Sequence, residues 1–204
     1  ALAALVRLKR KDNYLYSHSI ATAVWAAILG RHLGMEKPAL RQLALGASIM
    51  DVGMADVPTD LLEQPGRLTP EQRQQVCGHV AAGLKIVANS GEVSNKVLNI
   101  IACHHERYDG AGYPLGLAGS EIAFGARIVA VADAFDAMTA RRSYQAALSP
   151  RFALTRWRNV GESPSHTPVH PMPSCGYTSQ SGPWLWRMFW LTQARSETGS
   201  RPPN

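Results

Sequence analysis

Apolar residues recur at helical spacing in segment after segment of this chain, and alternating strand patterns are nearly absent. Tyr14 to Leu33 runs without proline or an interior turn cluster, and Gly34 supplies a stop. Pro38 sits where a first helical turn tolerates it, ahead of a helix over Ala39 to Ile49. Thr69, Pro70 and Gln72 read as an N-cap, a first-position proline and a capping-box partner. The helix they open is expected to reach about Asn89, with Val76, Val80, Gly83 and Val87 on one face, before Ser90 and Gly91 break it. Val93, Val97, Ile100 and Ile101 then lead at helical spacing into His104. Residues 107–120 hold four glycines and a proline and are expected to be a loop, and loops of that length in compact domains often carry function. A helix follows from Ile122 to about Arg141, and Ser149-Pro150 opens a last one. The expected fold is all-α, a helical bundle with one long Gly-rich loop, over residues 1–150.

The remaining residues differ in kind. Residues 151–204 hold four of the five tryptophans, seven of the thirteen prolines and no Lys, Asp or Ile. Proline at that density interrupts regular helix, and the hydrophobic periodicity stops abruptly. A natural flexible extension, a partner-binding segment and a change of reading frame are the competing readings; the abruptness favours the last. The same segment explains most of the net charge of +6: it carries six Arg and two Glu, whereas residues 1–150 balance 15 basic against 13 acidic residues. A basic tail rather than a basic face argues against DNA binding. No run of about 18 apolar residues marks a membrane span, and Cys77, Cys103 and Cys175 lack the spacing of a disulfide framework or a zinc site. A reducing, cytoplasmic setting is expected. The first residues already read as helix, which suggests that an upstream domain precedes this segment.

Ligand-type side chains fall at particular places on these helices. His18 lies near the start of the Tyr14 helix, and Asp51 closes the Ala39 helix. His79 shares a face with Val76, Val80 and Gly83, His104 extends the Val97 and Ile100 stripe with His105 beside it, and Asp133 shares a face with Val129 and Asp136. Any one of these residues alone is an ordinary core or surface group. Together, imidazoles and carboxylates at the inward ends of five helices are costly to bury unless something pairs with them, and a metal centre answers that cost for all. Mixed His and carboxylate ligation suits Fe, Mn or Zn better than Ca or Mg.

The string His104-His105-Glu106-Arg107-Tyr108-Asp109-Gly110-Ala111-Gly112-Tyr113-Pro114 resembles the hallmark of the HD-GYP family. His18-Ser19, Leu68-Thr69-Pro70-Glu71 ahead of His79, Val131 to Thr139 with its Asp133, and Arg142-Ser143-Tyr144 stand in the family's order. The resemblance implies a helical HD-superfamily domain of bacterial signalling that hydrolyses cyclic di-GMP at a centre of two divalent metals, often iron or manganese, coupled to an upstream sensor or receiver domain. It implies a first metal held by His18, Asp51 and Asp133, and a second held by Asp51, His79, His104 and His105. Asp51, His104 and His105 would then serve catalysis directly. Arg142 would grip a substrate phosphate, with Asp109, Gly112, Tyr113 and Pro114 lining the substrate.

This sequence departs from the family pattern at informative places. The His-Asp pair reads Met50-Asp51, which puts a thioether where a first-metal imidazole is expected, and a thioether is a poor ligand for these cations. Met54 stands where the family carries a phosphate-contacting lysine, Tyr14 where members with three metals carry Glu, and Gln145 where a basic residue is common. One strong and one weak metal site are expected. Two functions compete: an impaired cyclic di-GMP phosphodiesterase, and an inactive metal- or dinucleotide-binding module that signals through partner domains.

Overall fold

The computed structural model describes residues 2–140 apart from 65, 90 and 92, together with 147–149 and 151. Arg142, Gln145 and the expected tail beyond residue 151 lie outside the described residues, as does all but the first residue of the helix expected after Ser149-Pro150. Eight helices occur among the described residues: α1 (Leu2–Lys11), α2 (Asn13–His32), α3 (Lys37–Ile49), α4 (Thr59–Glu63), α5 (Pro70–Cys77), α6 (His79–Ala88), α7 (Asn95–Cys103) and α8 (Phe124–Thr139). Two 3-10 turns, Val52–Asp56 and Gly119–Glu121, complete the order. No strand forms among these residues; a single bridge joins Asp109 to Ala118. The all-α expectation is met.

Local chemistry accounts for the helix ends. Asp12 caps α2 by accepting from the Tyr14 N–H at 2.6 Å, filling one of the donors a helix start leaves open. The expected capping box opens α5: Thr69 Oγ1 accepts from the Gln72 N–H and the Gln72 side chain accepts from the Thr69 N–H. One expectation fails. The helix predicted from Thr69 to about Asn89 is two helices, broken at Gly78, the least helix-favouring residue short of proline. The break places His79 at the start of α6. The short α4 and the Val52–Asp56 turn had no counterpart in the sequence reading, since five residues are too few to display a period.

Helix α2 is the hub, packing on α1, α3 and α8; α7 joins α3, α6 and α8. One apolar cluster gathers Ala26, Leu43, Ala47, Ile100, Ile128, Val129 and Ala132 around the α2–α3–α8 contact, and Met50 belongs to it. A second gathers Leu8, Leu15, Val57, Leu61 and Val76, with Met54 among them. The 3-10 turn after Asp51 lies against α6. A Cβ on Gly53 would stand 1.9 Å from the His79 carbonyl oxygen, so only glycine permits this approach of backbone to backbone. That contact brings Asp51 beside His79.

Candidate metal centre

Asp51, His79, His104 and His105 converge: each offers one ligand atom, and these lie within 4.8 Å of one another. His79 Nδ1 is 2.7 Å from the Val76 carbonyl and His104 Nδ1 is 2.8 Å from the Ile101 carbonyl. A carbonyl only accepts, so both Nδ1 atoms carry a proton and donate it. Both Nε2 atoms are thereby turned inward, 3.4 Å apart, at 3.3 Å (His79) and 3.5 Å (His104) from Asp51 Oδ1. His105 is held between the His104 ring, 4.0 Å away, and the Tyr113 ring stacked at 4.8 Å.

His18 and Asp133 lie on the other side of Asp51. His18 Nε2 is 4.0 Å from Asp51 Oδ2 and 2.8 Å from Asp133 Oδ1, and its Nδ1 is 2.7 Å from Asp136 Oδ2. The two oxygens of Asp51 therefore face two different sets of side chains. All six expected metal ligands fall within one connected group. Tyr14 stacks on the His18 ring at 5.7 Å. Met50 is fully buried and Met54 nearly so, each within its apolar cluster.

The electrostatics differ between the two sides of Asp51. Burial disfavours a charged His18, but the hydrogen bonds to Asp133 and Asp136 and the charges of Asp133 and Asp51 prevail and raise its pKa to about 10. Burial likewise opposes a charged Asp51, yet His104 and His79 hold its carboxyl well below the usual range. Burial, with His104 and His79 adding to it, pushes His105 well below the usual imidazole value. An anionic Asp51 and a neutral His105 are in the protonation states that metal ligation requires, whereas His18, and His104, which Asp51 raises against the effect of burial, must each give up a proton to bind a cation.

Two atoms at the centre lack a hydrogen bond. His105 Nε2 is buried with no hydrogen-bond partner, a cost of about 1–3 kcal/mol for an orphaned group, and buried Asp51 Oδ1 has only the ion-pair contacts to His79 and His104 in place of a hydrogen bond. A divalent cation between the Nε2 atoms of His79, His104 and His105 and Asp51 Oδ1 would satisfy both, with the mixed N and O donors that borderline transition metals accept. The cluster is therefore able to hold a metal ion.

The Gly-rich loop is tied beneath the centre. Both oxygens of buried Glu106 accept loop N–H groups, from Leu115 at 2.6 Å and Leu117 at 3.0 Å. A Cβ on Gly112 would lie 2.3 Å from the Arg107 nitrogen, so the loop folds back against its own start. Asp109 takes up Arg107 with both oxygens and also accepts the Ala111 N–H, and Arg107 holds its carboxyl below the ordinary value. Tyr113 covers His105, and Pro114, joined to it by a cis peptide bond, is exposed. The structure adds two residues that the sequence reading left without roles. Glu106 fastens the loop, and Asp136 holds the far nitrogen of His18. The i, i+3 spacing of Asp133 and Asp136 was the available signal for the second.

The bundle gathers histidines from separate helices around the carboxylate of Asp51, a class of helical domain able to hold a metal ion. Residues 4–161 match the HD domain family, and the chain belongs to that family, in its HD-GYP branch. It is similar to the cyclic di-GMP phosphodiesterase PA4108 of Pseudomonas aeruginosa, 38% identical over 156 residues, covering 76% of this chain and 38% of that protein. It is also similar to the cyclic di-GMP phosphodiesterase response regulator RpfG of Xanthomonas campestris pv. campestris, 38% identical over 130 residues, covering 63% of this chain and 34% of that protein. The chain thus spans little more than a third of the length of these relatives. Among solved structures, Bd1817, a HDG"Y"P protein from Bdellovibrio bacteriovorus, shares the fold with a TM-score of 0.61 at 20% identity, over 90% of this chain and 53% of that one. No helix among the described residues is long and apolar enough to cross a membrane.

Proposed function

We propose that this chain is a metal-dependent cyclic di-GMP phosphodiesterase domain with one complete and one impaired metal site, holding Fe or Mn. The observation that carries this reading is the cluster of Asp51, His79, His104 and His105, whose ligand atoms lie within 4.8 Å of one another and in which His105 Nε2 has no hydrogen bond. The second, complete site takes His79, His104 and His105 with Asp51 Oδ1. The first takes His18, Asp133 and Asp51 Oδ2. Bound divalent cations supply Lewis acidity toward the phosphodiester and lower the pKa of attacking water. Asp51 would offer one carboxylate oxygen to each site. Tyr113 shields His105 from solvent and, with Gly112, Pro114 and Asp109, shapes the wall past which the dinucleotide enters. Arg142 grips a substrate phosphate by its forked guanidinium. The upstream segment of the protein carries a sensor or receiver domain, as the relation to a response regulator suggests, and the protein works in the cytoplasm.

A second reading rests on one observation: Met50 and Met54 are both packed into apolar clusters. The positions that would bring an imidazole and an ammonium to the reaction bring hydrocarbon and sulfur instead. Under this reading the domain binds one metal and the dinucleotide without turnover, and signals through partner domains. Purified protein incubated with Mn²⁺ and cyclic di-GMP, with products followed by chromatography, separates the two. Slow formation of linear pGpG that stops on adding a chelator supports the phosphodiesterase; tight dinucleotide binding with no product supports the binding module.

A further inference from the structure

We propose that Asp136 is a positioning residue for the first metal site, acting through His18. The inference rests on the reading of His18 as a ligand and goes beyond it. Helix α8 presents Asp133 and Asp136 one turn apart toward α2, and the two carboxylates hold the His18 ring from opposite sides, Nε2 at 2.8 Å and Nδ1 at 2.7 Å. Asp136 is 6% exposed, and its one ion pair among the described residues is with His18. A buried carboxylate committed to the far nitrogen of a ligand imidazole does what such partners do in metal proteins. It fixes which nitrogen carries the proton, sets the ring plane and raises the basicity of the nitrogen left for the metal.

This chain needs that help more than an intact site would. His79 and His104 draw their orientation from helix carbonyls, Val76 and Ile101. His18 has no backbone anchor of this kind among the described contacts. With Met50 removing one donor, the first site depends on three ligands, and a His18 ring free to flip would leave two. Asp136 therefore sets the occupancy of the first site and leaves the second untouched.

Calorimetric titration of the full chain with Mn²⁺ tests this, comparing the unmodified protein with Asp136→Asn, Asp136→Glu and His18→Ala. The expected result is a tight and a weak class of Mn²⁺ site. Asp136→Asn should weaken the weak class by about 10–100-fold, Asp136→Glu should recover part of the loss, and the tight class should not change in either. A second readout uses the unmodified protein alone, so it survives a variant that fails to fold. With Zn²⁺ bound, the ring-nitrogen NMR spectrum should show His18 protonated at Nδ1 and free of a proton at Nε2. A His18 protonated at Nε2 overturns the proposal, as does a weak class that ignores both Asp136 variants while His18→Ala removes it. A single class of site that His18→Ala leaves unaltered overturns the two-site reading itself, and the role of Asp136 falls with it.

Discussion

The two sides of Asp51 are built differently. On one side, His79 and His104 are each oriented by the carbonyl of the residue three positions earlier, and glycine at position 53 locks the Asp51 turn against the His79 backbone. On the other side, His18 is held by side chains alone, Asp133 and Asp136, and the neighbouring Met50 has joined the hydrophobic core. Orientation taken from helix backbone persists as long as the helices do. Orientation taken from side chains is lost one substitution at a time. The side proposed to be complete is the backbone-anchored one, and the side proposed to be depleted is the one that relies on individual residues.

The strongest effect is expected on the His79 and His104 side of Asp51. His104→Ala should abolish tight metal binding and reduce any turnover to background, measured by metal content after dialysis and by product formation. The reverse change, Met50→His, should strengthen the weak site and raise cyclic di-GMP hydrolysis by about 10²-fold, the scale of one transition-state electrostatic contact. Adding Met54→Lys should raise turnover further but lower thermal stability, because an ammonium would enter the cluster of Leu8, Leu15, Val57, Leu61 and Val76. Unchanged metal affinity in Met50→His would show that position 50 does not face the centre.

Gly53→Ala should cost about 1–3 kcal/mol through overpacking against the His79 carbonyl and loosen the tight metal, read by thermal melting with and without Mn²⁺. Smaller still, Thr69→Ala should cost about 1 kcal/mol by removing the α5 cap and leave metal affinity alone. If Thr69→Ala weakened the metal as much as Gly53→Ala did, the centre would be following global stability rather than the local contact.

Much of this was legible in the sequence because helical phase is a direct readout of which way a side chain points. His79 fell in step with Val76 and Val80, and His104 with Val97 and Ile100, and both prove buried. The capping box at Thr69 was readable because it is a contact within four residues. What was not legible depends on contacts distant in sequence. The role of Asp136 exists only through a residue 118 positions away, and the clamp of Glu106 only through the folded loop. Gly53 is an ordinary turn glycine until α6 lies on it. The break at Gly78 escaped because the apolar stripe continues in phase beyond it.

Titration with Mn²⁺ of the unmodified chain and of two variants, His104→Ala and His18→Ala, reads the stoichiometry and affinity of both sites. One tight and one weaker ion are expected per unmodified chain, with the tight ion lost in His104→Ala and kept in His18→Ala. Two ions bound equally tightly, or a tight ion that His18→Ala removes and His104→Ala leaves in place, would contradict the account.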